Sequence, residues 1–490
     1  MLDDARTRRA LTVGLFVTVA LLYAQTVGFA FVNWDDDTHV LANPFVRAPS
    51  FLDWRFWLTP SFGYPISVPV LSWWIDRLVH GFRPAGYHAG NVLLHALNAV
   101  LAMKLLERLR LPRGWALVGA LLFASHPLTA EPVAWVTGRK DLLAATFGLA
   151  SLLAWLRPTP SGRSDALANL LFTLSALSQP AVFALPVFAL ILRARAPGTP
   201  VRRALVAVLP SLLVVVGLAV ASIAVGSIAI RPEVHAPLPL RAFRTIGYSL
   251  RLIFPPWNLE QVYVTTPARW RESSTAMGLL ALLALGSALA SPRVRSTRAF
   301  PLLLLLGAAA APIANVIPLA KELGDAHLYL PLVPVGGLCA LGLSSLTAQL
   351  RPLVRGAVAL ALPIVFVPFT LAQTTTWTDS TTLWTTMFAR HPDVDEVCSH
   401  LGIAYAQDKR PDLAFSTFEA CVAAHPLARD FYLYNMLLAA RDAGEADKFR
   451  TLLAEFVTTH PDHPLSRQVR ARATGGSDVI APPAVHKVAE

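Results

Sequence analysis

The sequence has few charged residues for its length: Asp, Glu, Lys and Arg make up 15% of its 490 positions. Soluble domains average about 25% charged residues, so this deficit excludes an ordinary soluble globular protein. Cysteine is also scarce, and three residues cannot form a disulfide-rich scaffold or a four-cysteine zinc site. Apolar residues are abundant instead, at 54% of the chain, with a mean hydropathy of +0.50. These values predict an all-α, polytopic membrane helix bundle.

Eleven apolar segments are predicted to cross the membrane, since about 20 apolar residues match its hydrocarbon thickness. Every second connection is short and rich in arginine, whereas the intervening ones carry carboxylates. The positive-inside rule therefore places the N-terminus in the cytoplasm and the C-terminus outside, and assigns the net charge of +11 to cytoplasmic loops rather than to a nucleic-acid surface. That parity requires a turn at Pro180. The predicted spans cover residues 10–32, 88–107, 114–128, 141–156, 165–179, 180–193, 204–228, 274–290, 299–318, 328–346 and 353–373.

The C-terminal part of the chain has shorter hydrophobic runs and a repeat, with His-Pro pairs that begin at positions 391, 425 and 460. Spacings near 34 residues predict tetratricopeptide (TPR) helix hairpins. We predict a membrane domain over residues 1–376, repeats over 377–470 and a disordered tail over 471–490. Cys398 and Cys421 lie at helix ends that antiparallel packing would bring together. They are either a disulfide or two small buried residues.

Three adjacent carboxylates, Asp35, Asp36 and Asp37, directly follow the first predicted span. Their mutual repulsion is expected to raise the pKa of at least one of them. A carboxylate in this position can accept a proton from a hydroxyl nucleophile. The alternative interpretation is a solvated acidic loop or a helix cap.

The second predicted span carries a polar stripe, in which His88, Asn91, His95 and Asn98 recur at intervals of three and four residues. Polar residues within a membrane normally face the interior of the helix bundle. The stripe therefore either forms hydrogen bonds between helices or lines a polar substrate cavity. The two histidines lie two helical turns apart, too far for one metal ion, and we predict no metal site.

A third polar segment runs from His126 through Glu131 to Asp141 and contains the adjacent pair Arg139 and Lys140. Basic residues on the outer side oppose the positive-inside trend, and both types are good phosphate ligands. The alternative is that they pair with Glu131 or Asp141. Further outer cations lie on an amphipathic stretch that could rest in the lipid headgroup layer: Arg241, Arg244 and Arg251.

Together these segments resemble the GT-C membrane glycosyltransferases, and in particular the branch that carries C-terminal TPR repeats, the transmembrane-and-TPR O-mannosyltransferase-like family and its bacterial relatives. The resemblance covers roughly residues 1–470. The residues that carry it are Asn33-Trp34-Asp35-Asp36, Asn43-Pro44, Gly86-Tyr87-His88 with Asn91 and His95, His126-Pro127 with Glu131, the stretch from Trp135 to Asp141, Tyr329-Leu330-Pro331 and Trp377.

The resemblance implies an inverting transfer of a sugar from a polyprenyl-phosphate donor to an acceptor hydroxyl, such as protein Ser or Thr, at the outer face. Asp35 matches the catalytic base and Asp36 the acid that orients it. Arg139 and Lys140 match cations that stabilise the departing lipid phosphate. No cofactor or metal is implied beyond the donor lipid. Further candidates for binding substrate or lipid phosphate are His88, His126, Glu131, Lys321, His327 and Tyr329.

Three positions depart from the family pattern, because Tyr64, Gln179 and Ala326 stand where the family usually has a basic residue. Fewer cations predict a different donor, rearranged phosphate contacts through His327 or Lys321, or an inactive relative. The alternative function is therefore a membrane-anchored TPR scaffold without catalysis. Short loops and a high Ala and Arg content favour a bacterial inner membrane, with the TPR domain in the periplasm and binding a protein acceptor or partner.

Overall fold

The protein is described by a computed structural model over residues 5–50, 52–58, 64–224, 238–256, 259–261, 263, 272–315, 323–464, 466–467 and 469. These residues form helices and no β-strand, which confirms the predicted all-helical class. The chain divides into two compact units. One comprises Met1–Ala30 and Asp35–Thr378, and the other comprises Phe31–Trp34 and Asp379–Glu490.

The first unit is a bundle with α5 near its centre, packed against α1, α6 and α8. Short 3-10 helices cover Ala24–Gly28, Pro127–Thr129, Pro180–Val182 and Asp325–Leu328, and a π-helical turn covers Asp37–Leu41. The α-helices are Ala5–Leu22 (α1), Pro44–Arg47 (α2), Trp54–Leu58 (α3), Ser67–His80 (α4), Pro84–Arg108 (α5), Arg113–Ala124 (α6), Ala130–Ala134 (α7), Arg139–Trp155 (α8), Gly162–Ala176 (α9), Leu185–Ala194 (α10), Val201–Ala224 (α11), Leu238–Ile253 (α12), Ser273–Ala290 (α13), Pro292–Arg295 (α14), Ala299–Ala310 (α15), Leu332–Leu346 (α16) and Pro352–Thr375 (α17).

Among the described helices, α5, α11, α13 and α17 are long and apolar enough to cross a membrane. The bent pair formed by α6 and Pro127–Ala134 would add a fifth span. The chain is therefore an integral membrane protein, and the larger count of eleven spans stays a prediction.

The first predicted span ends earlier than expected: α1 stops at Leu22, and the Thr26 hydroxyl donates to the Tyr23 carbonyl in the following 3-10 turn. The predicted break at Pro180 is present between α9 and α10.

Helices α12 and α13 cross with almost no space between their backbones. A Cβ atom at Gly247 would overlap the Ser274 carbonyl, and one at Gly278 would overlap the Phe243 carbonyl. Since a backbone carbonyl cannot move aside as a flexible side chain can, only glycine fits at either position. The crossing fixes the amphipathic α12 near the N-terminal end of the apolar α13.

This crossing yields a prediction for Gly278→Val, which would force the two helices apart. Overpacking of this kind costs about 1–3 kcal/mol, so we expect a lower melting temperature for the purified protein. Gly286→Val is the matched control, because Gly286 lies in the same helix and has open space around its Cβ position. Equal melting temperatures for the two variants would contradict the close crossing.

The second unit consists of consecutive helices that each pack against the next. A Cβ atom at Gly402 would overlap the Phe418 ring, so this glycine admits the aromatic side chain between α19 and α20. A disulfide joins Cys398 in α19 to Cys421 in α20. Of the two alternatives for these cysteines, the structure therefore has the disulfide and not two separate buried thiols. The helices are Ser380–Phe388 (α18), Asp395–Gln407 (α19), Pro411–Ala424 (α20), the 3-10 turn Pro426–Ala428, Arg429–Asp442 (α21) and Ala446–Thr459 (α22).

The four residues Phe31–Trp34 belong to this second unit although they precede the acidic residues in sequence. The Asn33 side chain joins two helices: Trp384 Nε1 donates to its Oδ1 at 2.6 Å, and its Nδ2 donates to the His400 carbonyl at 3.1 Å. Trp34 also packs on Trp384, with ring centroids 5.3 Å apart. The Asn-Trp pair of the acidic motif therefore has a packing role in this unit.

We expect the Cys398–Cys421 disulfide to stabilise this unit. The cysteines are 23 residues apart, and closing a loop of this length in the unfolded chain is worth about 3 kcal/mol in the chain-entropy model. Cys398→Ala should therefore speed amide hydrogen exchange in α19 and α20 of the full chain. Cys339→Ala is the control, because Cys339 is a free cysteine in α16. Unchanged exchange in Cys398→Ala would contradict a stabilising bridge.

Candidate active site

The acidic loop after α1 is held by hydrogen bonds to the segment that leads into α8. Asp36 is fully buried, and its Oδ1 accepts from the Thr137 backbone N–H at 3.0 Å and from the Thr137 hydroxyl at 2.6 Å. Asp35 is 9% exposed, and its Oδ1 lies 3.8 Å from His39 Nε2. The two neighbouring carboxylates therefore differ: one is fixed within the protein, and the other lies nearer the surface.

Arg139 is buried at the first position of α8 and is fully engaged within the protein. Its Nε donates to Asn91 Oδ1 at 2.7 Å, its Nη2 donates to the Tyr87 carbonyl at 2.5 Å, and its Nη1 forms an ion pair with Asp76. The predicted pairing with Glu131 or Asp141 is therefore not the one observed for Arg139. Asp76 on α4 neutralises a charge that would otherwise be buried alone.

Lys140 lies between an aromatic ring and a carboxylate. Its Nζ is 4.1 Å from the centroid of the Trp135 ring and 3.7 Å from Asp141 Oδ2, so here the predicted alternative of pairing with Asp141 is present. Gln179 Nε2 donates to Asp141 Oδ1 at 3.0 Å. The Arg139 guanidinium and the Lys140 ammonium therefore pair with different carboxylates, Asp76 and Asp141.

The Tyr64 phenol is hydrogen-bonded with Gln179 and lies within electrostatic range of Asp141 and Asp35. Burial raises the pKa of Tyr64, and the negative charges of Asp141 and Asp35 raise it further, whereas a hydrogen bond with Gln179 opposes them. The phenol is consequently neutral at physiological pH and can donate a hydrogen bond. Tyr64 and Gln179 stand where the related family usually has cations, so neutral groups occupy both positions.

The segment before α16 adds another buried acid, Asp325. Tyr263 donates its hydroxyl proton to Asp325 Oδ1 at 2.5 Å, and burial together with the Asp325 charge raises the pKa of Tyr263 well above its ordinary value. Glu131 also adds negative charge near Tyr263. His327 and Tyr329, two further residues of this segment, line a small cavity with Asp141 and Gln179.

The polar stripe of α5 is buried and forms hydrogen bonds between helices. Asn91 Nδ2 donates to the Trp135 carbonyl at 2.9 Å, and Asn98 Nδ2 donates to the Leu142 carbonyl at 2.9 Å. His95 Nδ1 lies 2.7 Å from the Tyr329 hydroxyl, and His88 Nε2 lies 3.3 Å from the Ala30 carbonyl. These contacts favour the interhelical interpretation of the stripe.

The structure thus bonds Asp36 to Thr137, three residues before Lys140, and places Asp141, the partner of Lys140, in the cavity lined by His327 and Tyr329. His126 is not part of this cluster, since its Nε2 lies 3.2 Å from the Ile253 carbonyl and its Nδ1 accepts from the Leu128 N–H. Lys321 lies outside the described residues. Among the described residues, no group of three or more His, Cys, Asp or Glu side chains is placed to hold a metal ion.

The sequence motifs did not predict the roles of four residues in this site. Thr137 fixes Asp36, Asp76 neutralises Arg139, and Tyr64 and Gln179 were noted only as departures from a pattern. Asp76 carried a usable signal, because a carboxylate in an otherwise apolar helix needs a partner. Thr137 carried none, since a threonine before a helix is common. Fold and site together define a class of protein. It is a helical membrane protein in which an acidic loop is hydrogen-bonded to the segment that carries a basic pair.

Known proteins with a similar sequence agree with this class. The chain is 37% identical over 150 residues to protein O-mannosyl-transferase Tmtc2 of Drosophila melanogaster, a match that covers 28% of this chain and 16% of that relative. It is 35% identical over 153 residues to protein O-mannosyl-transferase TMTC1 of Mus musculus, covering 29% and 16%. No family model matches the chain. The predicted resemblance to the transmembrane-and-TPR O-mannosyltransferases is confirmed, and the matches span about one sixth of the relatives' length.

Among solved structures, the chain is similar to the crystal structure of ArnT from Cupriavidus metallidurans bound to undecaprenyl phosphate. The sequences are 16% identical, the superposition covers 91% of this chain and 80% of that one, and the TM-score is 0.41.

Proposed function

We propose that this protein is a GT-C-type glycosyltransferase that moves a sugar from a polyprenyl-phosphate donor to a hydroxyl of an acceptor. The observation that carries the proposal is the pair of hydrogen bonds from Thr137 to Asp36. They hold the acidic loop next to the segment that carries Arg139 and Lys140, which supports a site where a proton acceptor and a phosphate-binding cation would act together. The curated relatives are named protein O-mannosyl-transferases, which supports mannose as the sugar and protein Ser or Thr as the acceptor.

The reaction would proceed by a single displacement. The acceptor oxygen attacks the anomeric carbon, the bond from that carbon to the phosphate oxygen breaks, and the hydroxyl proton passes to Asp35. The polyprenyl phosphate leaves with the bonding electron pair, and its growing negative charge is stabilised by Lys140. Attack opposite the leaving group inverts the anomeric centre. Asp36, fixed by Thr137, orients the loop that carries the base.

Lys140 fits the phosphate-binding role better than Arg139. The Arg139 guanidinium has all its nitrogens engaged with Asn91, Tyr87 and Asp76. Lys140 Nζ lies 3.7 Å from Asp141 Oδ2 and 4.1 Å from the centroid of the Trp135 ring, and its flexible stem lets the ammonium turn towards a stronger anion. The role of Arg139 would then be to hold α4, α5 and α8 together around the site.

The membrane topology and the second unit complete the proposal. We propose that eleven spans cross a bacterial inner membrane, with the N-terminus in the cytoplasm and the second unit in the periplasm. The Cys398–Cys421 disulfide supports an oxidising location for that unit. Its successive helices would act as TPR repeats and bind the acceptor protein.

The proposal is tested with purified protein in lipid, a polyprenyl-phosphate hexose and a Ser/Thr peptide. We expect release of polyprenyl phosphate that depends on the acceptor, and loss of release in the Asp35→Asn, Asp36→Asn double variant. Equal release by wild type and double variant would refute the role of these carboxylates.

A scaffold without catalysis is the second candidate, and one observation favours it. Tyr64 and Gln179 are neutral where related proteins usually have cations, and Arg139 is already paired. A scaffold would bind its partner through the second unit, and the acidic substitutions would leave that binding unchanged. Absence of sugar transfer from every polyprenyl-phosphate hexose, together with intact partner binding, would favour this candidate.

A further inference from the structure

Helix α12 carries two buried polar side chains that lack hydrogen-bond partners within the described part of the chain. Arg241 is 5% exposed, and its Nε and Nη1 atoms have no acceptor there. Thr245 is 3% exposed, and its hydroxyl is likewise without a partner among the described residues. A buried guanidinium without an anion is strongly unfavourable, so the arrangement indicates a missing negatively charged group.

The spacing of the two residues suits a single anion. They are four positions apart on one helix, so they lie on the same face with Cβ atoms about 6 Å apart. Together they offer two guanidinium N–H groups and a hydroxyl, and the planar guanidinium fits two oxygens of a phosphate. Arg241 is the fourth residue of α12, in the first turn, where the helix dipole also favours an anion.

Two charged residues near the other end of α12, Glu272 and Arg251, do not contact Arg241. Glu272 accepts from the Ser274 hydroxyl at 2.6 Å, and Arg251 donates to the Ser273 hydroxyl. Arg251 lies ten residues after Arg241, about 15 Å further along the helix axis. Glu272 therefore lies beside the C-terminal end of α12 and is not the missing partner of Arg241.

We propose that Arg241 and Thr245 bind the phosphate group of a membrane lipid. Helix α12 is amphipathic and crosses α13, which is apolar enough to span the membrane, near the N-terminal end of α13. An amphipathic helix packed on a membrane-spanning helix can contact lipid headgroups, whose phosphates are abundant anions at the membrane surface. The phosphate can come from a polyprenyl phosphate or from a glycerophospholipid. The proposal does not require sugar transfer, because this site contains neither the acidic loop nor Lys140.

The test uses full-length protein in a maltoside detergent, which brings no phosphate of its own. Wild type, Arg241→Gln, Thr245→Val and the control Arg251→Gln are each titrated with decaprenyl phosphate, phosphatidylglycerol and inorganic phosphate. The readouts are the ligand-induced rise in melting temperature and the Kd. Arg251→Gln removes the same charge from the exposed end of the same helix. All variants keep any other phosphate site, so differences between them report on Arg241 and Thr245.

We expect Arg241→Gln to weaken lipid binding at least tenfold, the loss typical of a charged hydrogen bond. Thr245→Val should weaken it several-fold and Arg251→Gln less than twofold. Without ligand, Arg241→Gln should melt no lower than wild type, because it removes a buried charge that has no carboxylate partner among the described residues. Weakening confined to decaprenyl phosphate identifies the polyprenyl source, and weakening with phosphatidylglycerol identifies the glycerophospholipid source.

Three results would overturn the proposal. Equal weakening by Arg241→Gln and Arg251→Gln would indicate a general charge effect, and unchanged lipid binding in Arg241→Gln would exclude the site. An effect seen with inorganic phosphate alone would exclude a lipid as the ligand. Failure of sugar transfer in wild type would refute the proposed function and leave this binding test unaffected.

Discussion

Replacing Asp35 by Asn should lower the turnover of sugar transfer by about two to four orders of magnitude, the usual contribution of a general base. Asn keeps the shape of the side chain and cannot accept the proton of the acceptor hydroxyl. Asp35 is the less buried of the two motif acids, and its Oδ1 lies 3.8 Å from His39 Nε2. Its substitution should therefore leave the melting temperature and the Kd for the donor lipid nearly unchanged.

The neighbouring acids separate this role from a general effect of charge. Asp37→Asn removes the same charge from a residue whose Oδ1 accepts the Thr38 N–H, and we expect turnover within a few-fold of wild type. Asp36→Asn retains an oxygen for the Thr137 donors, so it should fold and lose less turnover than Asp35→Asn. A larger loss in Asp36→Asn than in Asp35→Asn would exchange the roles of the two carboxylates.

Replacing Arg139 by Gln should destabilise the folded protein by about 3–5 kcal/mol, the cost of breaking a buried ion pair from one side. The change leaves the Asp76 carboxylate without its cation and removes donors to Asn91 and the Tyr87 carbonyl. The measurement is the melting temperature in detergent. A second substitution, Asp76→Asn, should recover part of the loss because it removes the uncompensated charge.

Lys140→Gln is the matched control for Arg139. It removes the adjacent positive charge, which lies 4.1 Å from the centroid of the Trp135 ring and 3.7 Å from Asp141 Oδ2. We expect a much smaller change in stability and a clear loss of turnover, as a phosphate ligand requires. Arg139→Gln melting like wild type while losing donor binding would instead make Arg139 the phosphate ligand.

Hydropathy was sufficient to predict the helical class and the main apolar helices of this chain. Predicted segments such as 88–107 and 353–373 correspond closely to α5 and α17, because long apolar runs have few alternatives in a membrane. The end of α1 was wrong, since hydropathy continues to Val32 while local hydrogen bonding ends the helix at Leu22. The span count, the domain limits and the TPR assignment stay predictions.

The site was predictable as a set of motifs and not as a set of contacts. The proximity of the acidic loop to the Arg139-Lys140 segment depends on Thr137, and no periodicity marks that residue. Likewise, adjacent Arg139 and Lys140 look equivalent in sequence, whereas in the structure Arg139 pairs with Asp76 and Lys140 with Asp141. Which charge is compensated depends on tertiary packing, which a single sequence does not encode locally.

The most direct test of the account is an electron cryomicroscopy structure of Asp35→Asn with a polyprenyl-phosphate mannose bound. The account predicts the donor phosphate within about 4 Å of Lys140 Nζ, a contact distance for an ion pair, with the anomeric carbon facing the substituted Asn side chain. A donor phosphate bound at the opposite membrane surface from the acidic loop, or a packed apolar layer between the sugar and that loop, would contradict it.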